Sequence, residues 1–254
     1  MAITLKVKIE NDIMPFNLGL MVFIDGVVQT FSLNSSKDYD TINNISVNAY
    51  ENKIVECKFE PNIGQKGIES TLFVVSMLNP DYMPEPTPHG NYVFTNNHKI
   101  SELSPFVLEY NQSPKLMKTK IRDSYMMLED EQNSSDETVD PVTKFWGYFE
   151  NENQSINSYK YTAENSPNYS IKGQGTDCEY IATVFVDHTP VTVCDGYSFS
   201  KIILKEKHIS SDKYVIDTPI TKSSIIYAIL IPVGKYDYLK SYPLKTDTQV
   251  IVVE

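Results

Sequence analysis

Arginine is nearly missing from this sequence. Of the 22 basic residues in 254, only Arg122 is an arginine, so bidentate guanidinium clamps on phosphates or carboxylates are almost unavailable. Positive charge is scarce as well. Asp and Glu number 33 and the net charge is −11, which argues against nucleic acid, whose phosphates are bound by clustered Lys and Arg. Cysteine is sparse and odd in number, at Cys57, Cys178 and Cys194. That excludes a disulfide framework and fits synthesis in a reducing cytoplasm. The longest apolar run, IIYAILIP from Ile225, falls far short of the ~20 residues of a membrane-spanning helix. At the start, MAITLKVKIEND alternates Leu5, Val7 and Ile9 with Lys6, Lys8 and Glu10. This is a strand pattern rather than the basic-then-apolar profile of a signal peptide. No membrane association is expected.

Signatures of catalysis are equally thin. The glycine pairs GQKG at Gly64 and GQG at Gly173 lack the lysine and following helix of a phosphate loop, and no Gly-x-Ser-x-Gly elbow occurs. His89 and His98 flank NYVFTNN and face each other as metal ligands only if a hairpin closes between them. No third and fourth ligand is suggested by spacing. Cys57 alternates with Val55 and Phe59 and reads as core, whereas Cys178 and Cys194 read as cross-strand neighbours. The pair Asp38/Asp40 in the polar segment SSKDYD is a faint calcium candidate against the default of a solvated loop. The expectation is a chain that is not an enzyme, with no catalytic residue, metal or cofactor assigned.

What is abundant points to strands. Tyr (17) and Phe (11) far outnumber the single Trp146, and such residues suit pleated, half-buried surfaces. Short apolar runs are punctuated throughout by Gly, Pro, Asn and Asp. LGLMVFIDGVVQTFSL carries Asp25-Gly26 between two β-rich runs, a strong hairpin signal. DYMPEPTPHG, with Pro84, Pro86 and Pro88, reads as an exposed loop.

One device occurs twice. With Val22 set on Val184, Phe23 falls on Phe185, Ile24 on Val186, Asp25 on Asp187 and Thr30 on Thr192. Farther on, STLFVVSMLNP ending at Pro80 matches SSIIYAILIP ending at Pro232. The spacings are 58 and 48 residues. Each copy holds six or seven strands in roughly 100 residues, the count of an immunoglobulin-like sandwich. The expected fold is all-β: two tandem antiparallel β-sandwich (Ig-like) domains arising from an internal duplication. They are placed at residues 1–114 and 141–254, joined by a charged linker or extended segment over 115–140, where basic KLMKTKIRD precedes acidic LEDEQNSSDETVD.

Aromatics supply the candidate contact site. KFWGYF, with Trp146 and Tyr148, lies close in sequence to Tyr159 and Tyr161, and Tyr169 and Tyr180 follow. Such side chains either stack on sugars, anchor a protein interface or fill a core. Trp146, Tyr148, Tyr159 and Tyr161 are taken as the candidate ligand or interface residues.

The strand-patterned N-terminus, the VFIDGVVQTF hairpin, the tandem sandwiches and the Lys-over-Arg usage together resemble virion structural proteins of tailed bacteriophages: head-decoration, head-fibre, collar or tail-accessory proteins. The resemblance implies a protein made in the host cytoplasm and located in the virion, non-enzymatic, homo-oligomeric and docked on protein partners in a larger assembly. It transfers no catalytic residue. The terminal segments ITLKVKI and QVIVVE are expected to add strands to a partner's sheet, with deletion of residues 2–9 leaving both sandwiches folded. The alternative is a carbohydrate-binding, host-surface module built on the aromatic platform.

Overall fold

The computed structural model describes residues 2–103, 105–114, 121–123, 127–130, 144–149, 154–155, 158–161, 167–175, 177–193, 195–205, 208–234 and 241–253. Among these every regular element is a β-strand. The chain divides into two compact units, Met1–Met83 with Phe94–Thr119, and Pro84–Val93 with Lys120–Glu254.

The first unit contains β1 (Ile3–Glu10), β2 (Phe16–Ile24), β3 (Val27–Gln29), β4 (Ser32–Leu33), β5 (Asn43–Val47), β6 (Asn52–Phe59), β7 (Glu69–Leu78), β8 (Ile100–Glu102) and β9 (Phe106–Glu109). One sheet runs β1-β6-β4. The other runs β3-β2-β7-β8, with β5 also on β2 and β9 also on β7. The period of two in MAITLKVKIEND sends Val7 and Ile9 inward, while Lys6 and Lys8 stay at the surface. Val7 and Ile9 share one buried cluster with Val55, Cys57 and Phe59 of β6 and, from the facing sheet, Leu20, Val22, Ile24, Leu72 and Val74. Each large side chain fully buried this way contributes about 1.5–3 kcal/mol.

The second unit contains β10 (Ile121–Asp123), β11 (Met127–Asp130), β12 (Lys144–Phe149), β13 (Gln154–Ser155), β14 (Ser158–Tyr161), β15 (Asn168–Gln174), β16 (Cys178–Val186), β17 (Thr189–Pro190), β18 (Phe199–Leu204), β19 (His208–Val215), β20 (Ser224–Val233), β21 (Leu244–Lys245) and β22 (Gln249–Val253). A four-stranded sheet, β11-β19-β15-β12, faces a larger one, β10-β18-β16-β20-β22-β14-β13, which also carries β17 and β21. Tyr169, Ile171 and Tyr214 from the first pack against Ala182, Val184, Ile202, Leu204, Ala228 and Leu230 from the second. Nearly all of β16 and β20, and the stretches Gly19–Ile24 of β2 and Leu72–Val75 of β7, are buried on both faces. That is why LGLMVFI and IIYAILI run apolar without alternating.

The repeated sequence device has a structural counterpart. Strands β1, β2, β3, β5, β6 and β7 take the same antiparallel neighbours, in the same chain order, as β15, β16, β17, β18, β19 and β20. Phe23 lies opposite Phe73 and Phe185 opposite Tyr227, so Pro232 stands level with Leu78. The sequence match that anchored Pro232 on Pro80 is therefore two residues out of register. Both hairpins turn through left-handed residues, Asp25 (φ 45°) with Gly26 (φ 80°), and Asp187 (φ 46°) with His188 (φ 65°). This is the two-residue turn whose twist matches the strands.

One expectation changes and two gain detail. Within 115–140, expected as a charged linker or extended segment, β10 joins the large sheet beside β18 and β11 joins the small sheet beside β19; residues 115–120, 124–126 and 131–140 lie outside the described residues. The segment DYMPEPTPHG is exposed as expected except at Pro84, which is buried, and Thr87, which is half-buried; Pro84–Val93 is counted with the second unit. Neither terminal segment is spare. β1 pairs β6 over eight residues and supplies Val7 and Ile9 to the core, and β22 is flanked by β20 and β14. Deleting residues 2–9 removes a structural strand.

Candidate functional site

KFWGYF becomes β12, at the edge of the small sheet, paired antiparallel with β15. Alternation then sorts its aromatics onto two faces. Phe149 points inward, 2% exposed, and Phe145 packs against the same core. Gly147 shares that inward side. A Cβ at Gly147 would overlap the Tyr169 hydroxyl and lie 2.5 Å from its Cζ, so the absent side chain is what admits the Tyr169 ring. The Tyr169 hydroxyl lies 2.9 Å from Thr246 Oγ1, which also accepts the Ala228 N–H at 2.8 Å. Burial pushes the Tyr169 phenol far above its ordinary pKa, with the Thr246 bond opposing, so it remains protonated.

Trp146 and Tyr148, of opposite parity, stand on the outer face, each partly exposed. Two residues along one strand puts them about 7 Å apart, the spacing of adjacent stacking rings. Across the ladder Trp146 faces Lys172 and Tyr148 faces Ser170, and these face Ser211 and Lys213 on β19. The Lys172 ammonium lies 5.6 Å from the centre of the Tyr148 ring, a cation–π contact. The outer face therefore presents two rings with Lys172, Lys213 and Ser211 beside them, while Ser170 is buried.

The other expected members are not part of this surface. Tyr159 is a correction: it is 5% exposed and stacks on Phe149 at 4.2 Å and 17° in the core, because β14 lies in the facing sheet. Tyr169 and Tyr180 are buried too. Tyr161 ends β14, and its side chain lies outside the described residues. The structure thus brings Trp146 and Tyr148 together and separates Tyr159 from them.

Other chemistry-bearing residues resolve into the framework. Burial pushes the Cys57 thiol up to about 11 and raises Cys178 as well, so neither is a thiolate at neutral pH; Cys194 lies outside the described residues. His98 is buried with its ring 4.8 Å from Phe94, while His89 is in an exposed loop. His188 Nδ1 lies 2.8 Å from the Tyr227 hydroxyl. Asp40 accepts the Thr41 N–H at 2.7 Å within its own loop. Among the described residues no three His, Cys, Asp or Glu side chains cluster in a way that would hold a metal.

Two polar groupings were not visible in the sequence. Within the second unit, Arg122 Nη2 on β10 lies 3.4 Å from Asp212 Oδ1, and the guanidinium lies 6.0 Å from the Tyr214 ring centre. Arg122 Nη1, Asp212 Oδ2, the Tyr214 hydroxyl and Ser200 Oγ are all buried without a well-directed hydrogen bond. Tyr214 nonetheless lies close enough to Asp212 and Ser200 to feel both. Its phenol is pushed up chiefly by burial and next by the Asp212 charge. The second grouping centres on Lys245, which donates to Thr246 O at 2.9 Å and Thr248 Oγ1 at 2.7 Å and lies 4.7 Å from the Tyr227 ring centre. Burial pulls its pKa down to about 7, with Asp247 opposing. The Arg122–Asp212 and Lys245–Tyr227 contacts join residues far apart in the chain, with no spacing to signal them.

No protein-family model matches the chain, and no curated protein matches it. Among solved structures it is similar to the chaperone–tip adhesion subunit pre-assembly complex CsuC-CsuE from the archaic chaperone-usher Csu pili of Acinetobacter baumannii. Identity there is 10%, covering 99% of this chain and 92% of that one, with a TM-score of 0.23. It is also similar to the McoA multicopper oxidase of Aquifex aeolicus, at 10% identity, 98% and 55% coverage and a TM-score of 0.23. A third similarity is to an anti-sigma factor domain-containing protein, at 9% identity, 97% and 85% coverage and a TM-score of 0.18. At such TM-scores none of these carries an argument about fold, partner or activity.

Proposed function

We propose that this chain is a non-enzymatic interaction protein whose second unit makes contacts through the outer face of the β12–β15–β19 sheet. In this reading it is a structural component of a tailed-phage particle, docked on protein partners in the virion. The observation that carries the contact reading is the placement of Trp146 and Tyr148 side by side, outward and partly exposed, on an edge strand whose inward residues are already committed to the core. Aromatic anchors of this kind dominate protein interfaces, because they bury large area while losing little side-chain entropy. The particle context is supported by the sequence resemblance. The test is a Trp146→Ala/Tyr148→Ala double variant. It should unfold at nearly the wild-type temperature and fail to incorporate into particles. A variant that incorporates normally sinks the reading.

A second reading, carbohydrate recognition on the same face, is favoured by one observation: Lys172 sits over the Tyr148 ring, with the partly exposed Ser211 beside Lys172 in the ladder. Ring faces with polar groups at their margin suit sugars. A glycan screen comparing wild type with Trp146→Ala separates the two readings, since glycan retention lost in the variant points to sugar and no retention by wild type points to protein.

A further inference from the structure

We propose that the chain associates with a second copy of itself by pairing β9 edge to edge, antiparallel, about a two-fold axis at Val107. This rests on the assembly reading above and names a different surface from the Trp146 face.

Strand β9 bonds only β7 among the described strands, with Thr71 facing Val107 and Leu72 facing Phe106. Its other edge carries no strand partner there. The N–H and C=O of Thr71 are both taken by Asp25 on the far side of β7. Val107, opposite Thr71, therefore turns its own N–H and C=O to the open edge, as antiparallel alternation requires. A strand edge with unpaired backbone groups and apolar side chains is a template for another strand. Val107 is 59% exposed, Phe106 48% and nearby Leu103 41%, whereas Leu108 turns toward the core. Within the strand FVLE itself there is no lysine, proline or inward charge to blunt the edge.

What selects a second copy is the match of this strand to itself. Centred on Val107, antiparallel pairing sets Val107 against the partner's Val107, Phe106 against the partner's Leu108, and Pro105 against the partner's Glu109. Apolar meets apolar and no like charges are opposed, which is the condition for favourable cross-strand pairs. The two Val107 residues exchange both backbone bonds at the centre. Pro105, just outside the strand, has no N–H to give, so each end of the ladder keeps only the bond from Glu109 N–H to the Pro105 carbonyl. The proline thus stops the pairing at the ends of FVLE without interrupting its middle. The open edge of β1 gives the opposite result. In the two registers that overlap most of its length, Lys6 lies against the partner's Lys6 or against the partner's Lys8. These lysines blunt that longer edge, whereas β9 is self-complementary. About five residues a side bury less than the ~1,200 Å² of a stable specific interface, so the association is weak and concentration-dependent. Like net charges of −11 oppose it at low salt.

The experiment is sedimentation velocity on the full chain from about 5 to 500 µM at about 0.3 M salt, where surface repulsion is screened. Wild type, Val107→Lys and Phe106→Ser are compared, each first checked for a wild-type far-UV spectrum. The expected result is a sedimentation coefficient that rises with concentration in wild type and stays at the monomer value in both variants. If wild type stays monomeric throughout, or if the variants associate as wild type does, the proposal is overturned. Should wild type stay monomeric while the Trp146/Tyr148 change still abolishes incorporation, self-pairing alone is refuted and the functional reading stands.

Discussion

Asp25 shows how one residue fixes both a turn and the strand beside it. Its N–H donates to Thr71 O at 2.8 Å, and its Oδ1 accepts the Thr71 N–H at 2.7 Å. Its backbone sits at φ 45°. Asp25→Ala removes the acceptor, stranding a partly buried N–H at a cost of about 1–3 kcal/mol. It also puts a Cβ without a local hydrogen bond into the left-handed region, at about 1 kcal/mol more. The total is about 2–4 kcal/mol. Asn keeps both the side-chain acceptor and the tolerance of positive φ, and should cost about 1 kcal/mol. Gly keeps the conformation and loses the acceptor, so it falls between. Asp187 repeats the arrangement: its N–H donates to Ile225 O at 3.0 Å, and its Oδ1 accepts the Ile225 N–H at 3.0 Å. Its Oδ2 lies 3.0 Å from the Ser224 hydroxyl, which has Lys222 O as an alternative acceptor, and 3.1 Å from the exposed Lys222 ammonium, so Asp187→Ala should cost about as much as Asp25→Ala. Urea unfolding followed by far-UV circular dichroism gives these differences from midpoint shifts at constant slope. If Asn proves as damaging as Ala at both positions, the negative charge rather than the clamp is what matters, and the reasoning fails.

Gly147→Ala should destabilise by about 1–3 kcal/mol through overpacking against Tyr169, and thermal unfolding showing no loss would contradict the inward placement of Gly147. Arg122→Ala leaves the Asp212 carboxylate buried without its cation and should cost about 3 kcal/mol, whereas Arg122→Met/Asp212→Leu should recover most of that; denaturant titration of the three proteins decides it. Lys245, with its pKa pulled down to about 7, binds its proton more tightly in the unfolded chain, so its contribution makes stability rise with pH from about 7 to the ordinary lysine value. Lys245→Met should flatten that slope in unfolding measured from pH 6 to 10, and an unchanged slope would show that Lys245 is not its source.

The strand content was legible because period-two alternation and turn residues are local signals. MAITLKVKIEND and the Asp25-Gly26 hairpin needed no tertiary information to read. The inward half of the aromatic cluster was not legible. KFWGYF alternates about Gly147, yet nothing local says that Phe149 meets Tyr159 from the facing sheet, since that contact depends on how two sheets close over each other. Sequence proximity grouped Tyr159 with Trp146, and sheet topology placed them on opposite sides of a layer. Residues 121–123 and 127–130 were half legible. Their extended character could be read from the sequence, whereas the Arg122–Asp212 pair and the strands β18 and β19 that they join could not. The Asp25 and Asp187 clamps were half visible: the turn was readable, and the bond to a strand some 40 residues away was not.

Trp146 is the sole tryptophan, so its fluorescence reports on the proposed contact face without labelling. The most direct measurement is acrylamide quenching and emission of Trp146 in the isolated protein and again in the assembled particle. The account predicts ready quenching in the isolated protein, then a blue shift and protection on assembly. A tryptophan already shielded in the isolated protein, or one equally quenchable before and after assembly, would contradict it.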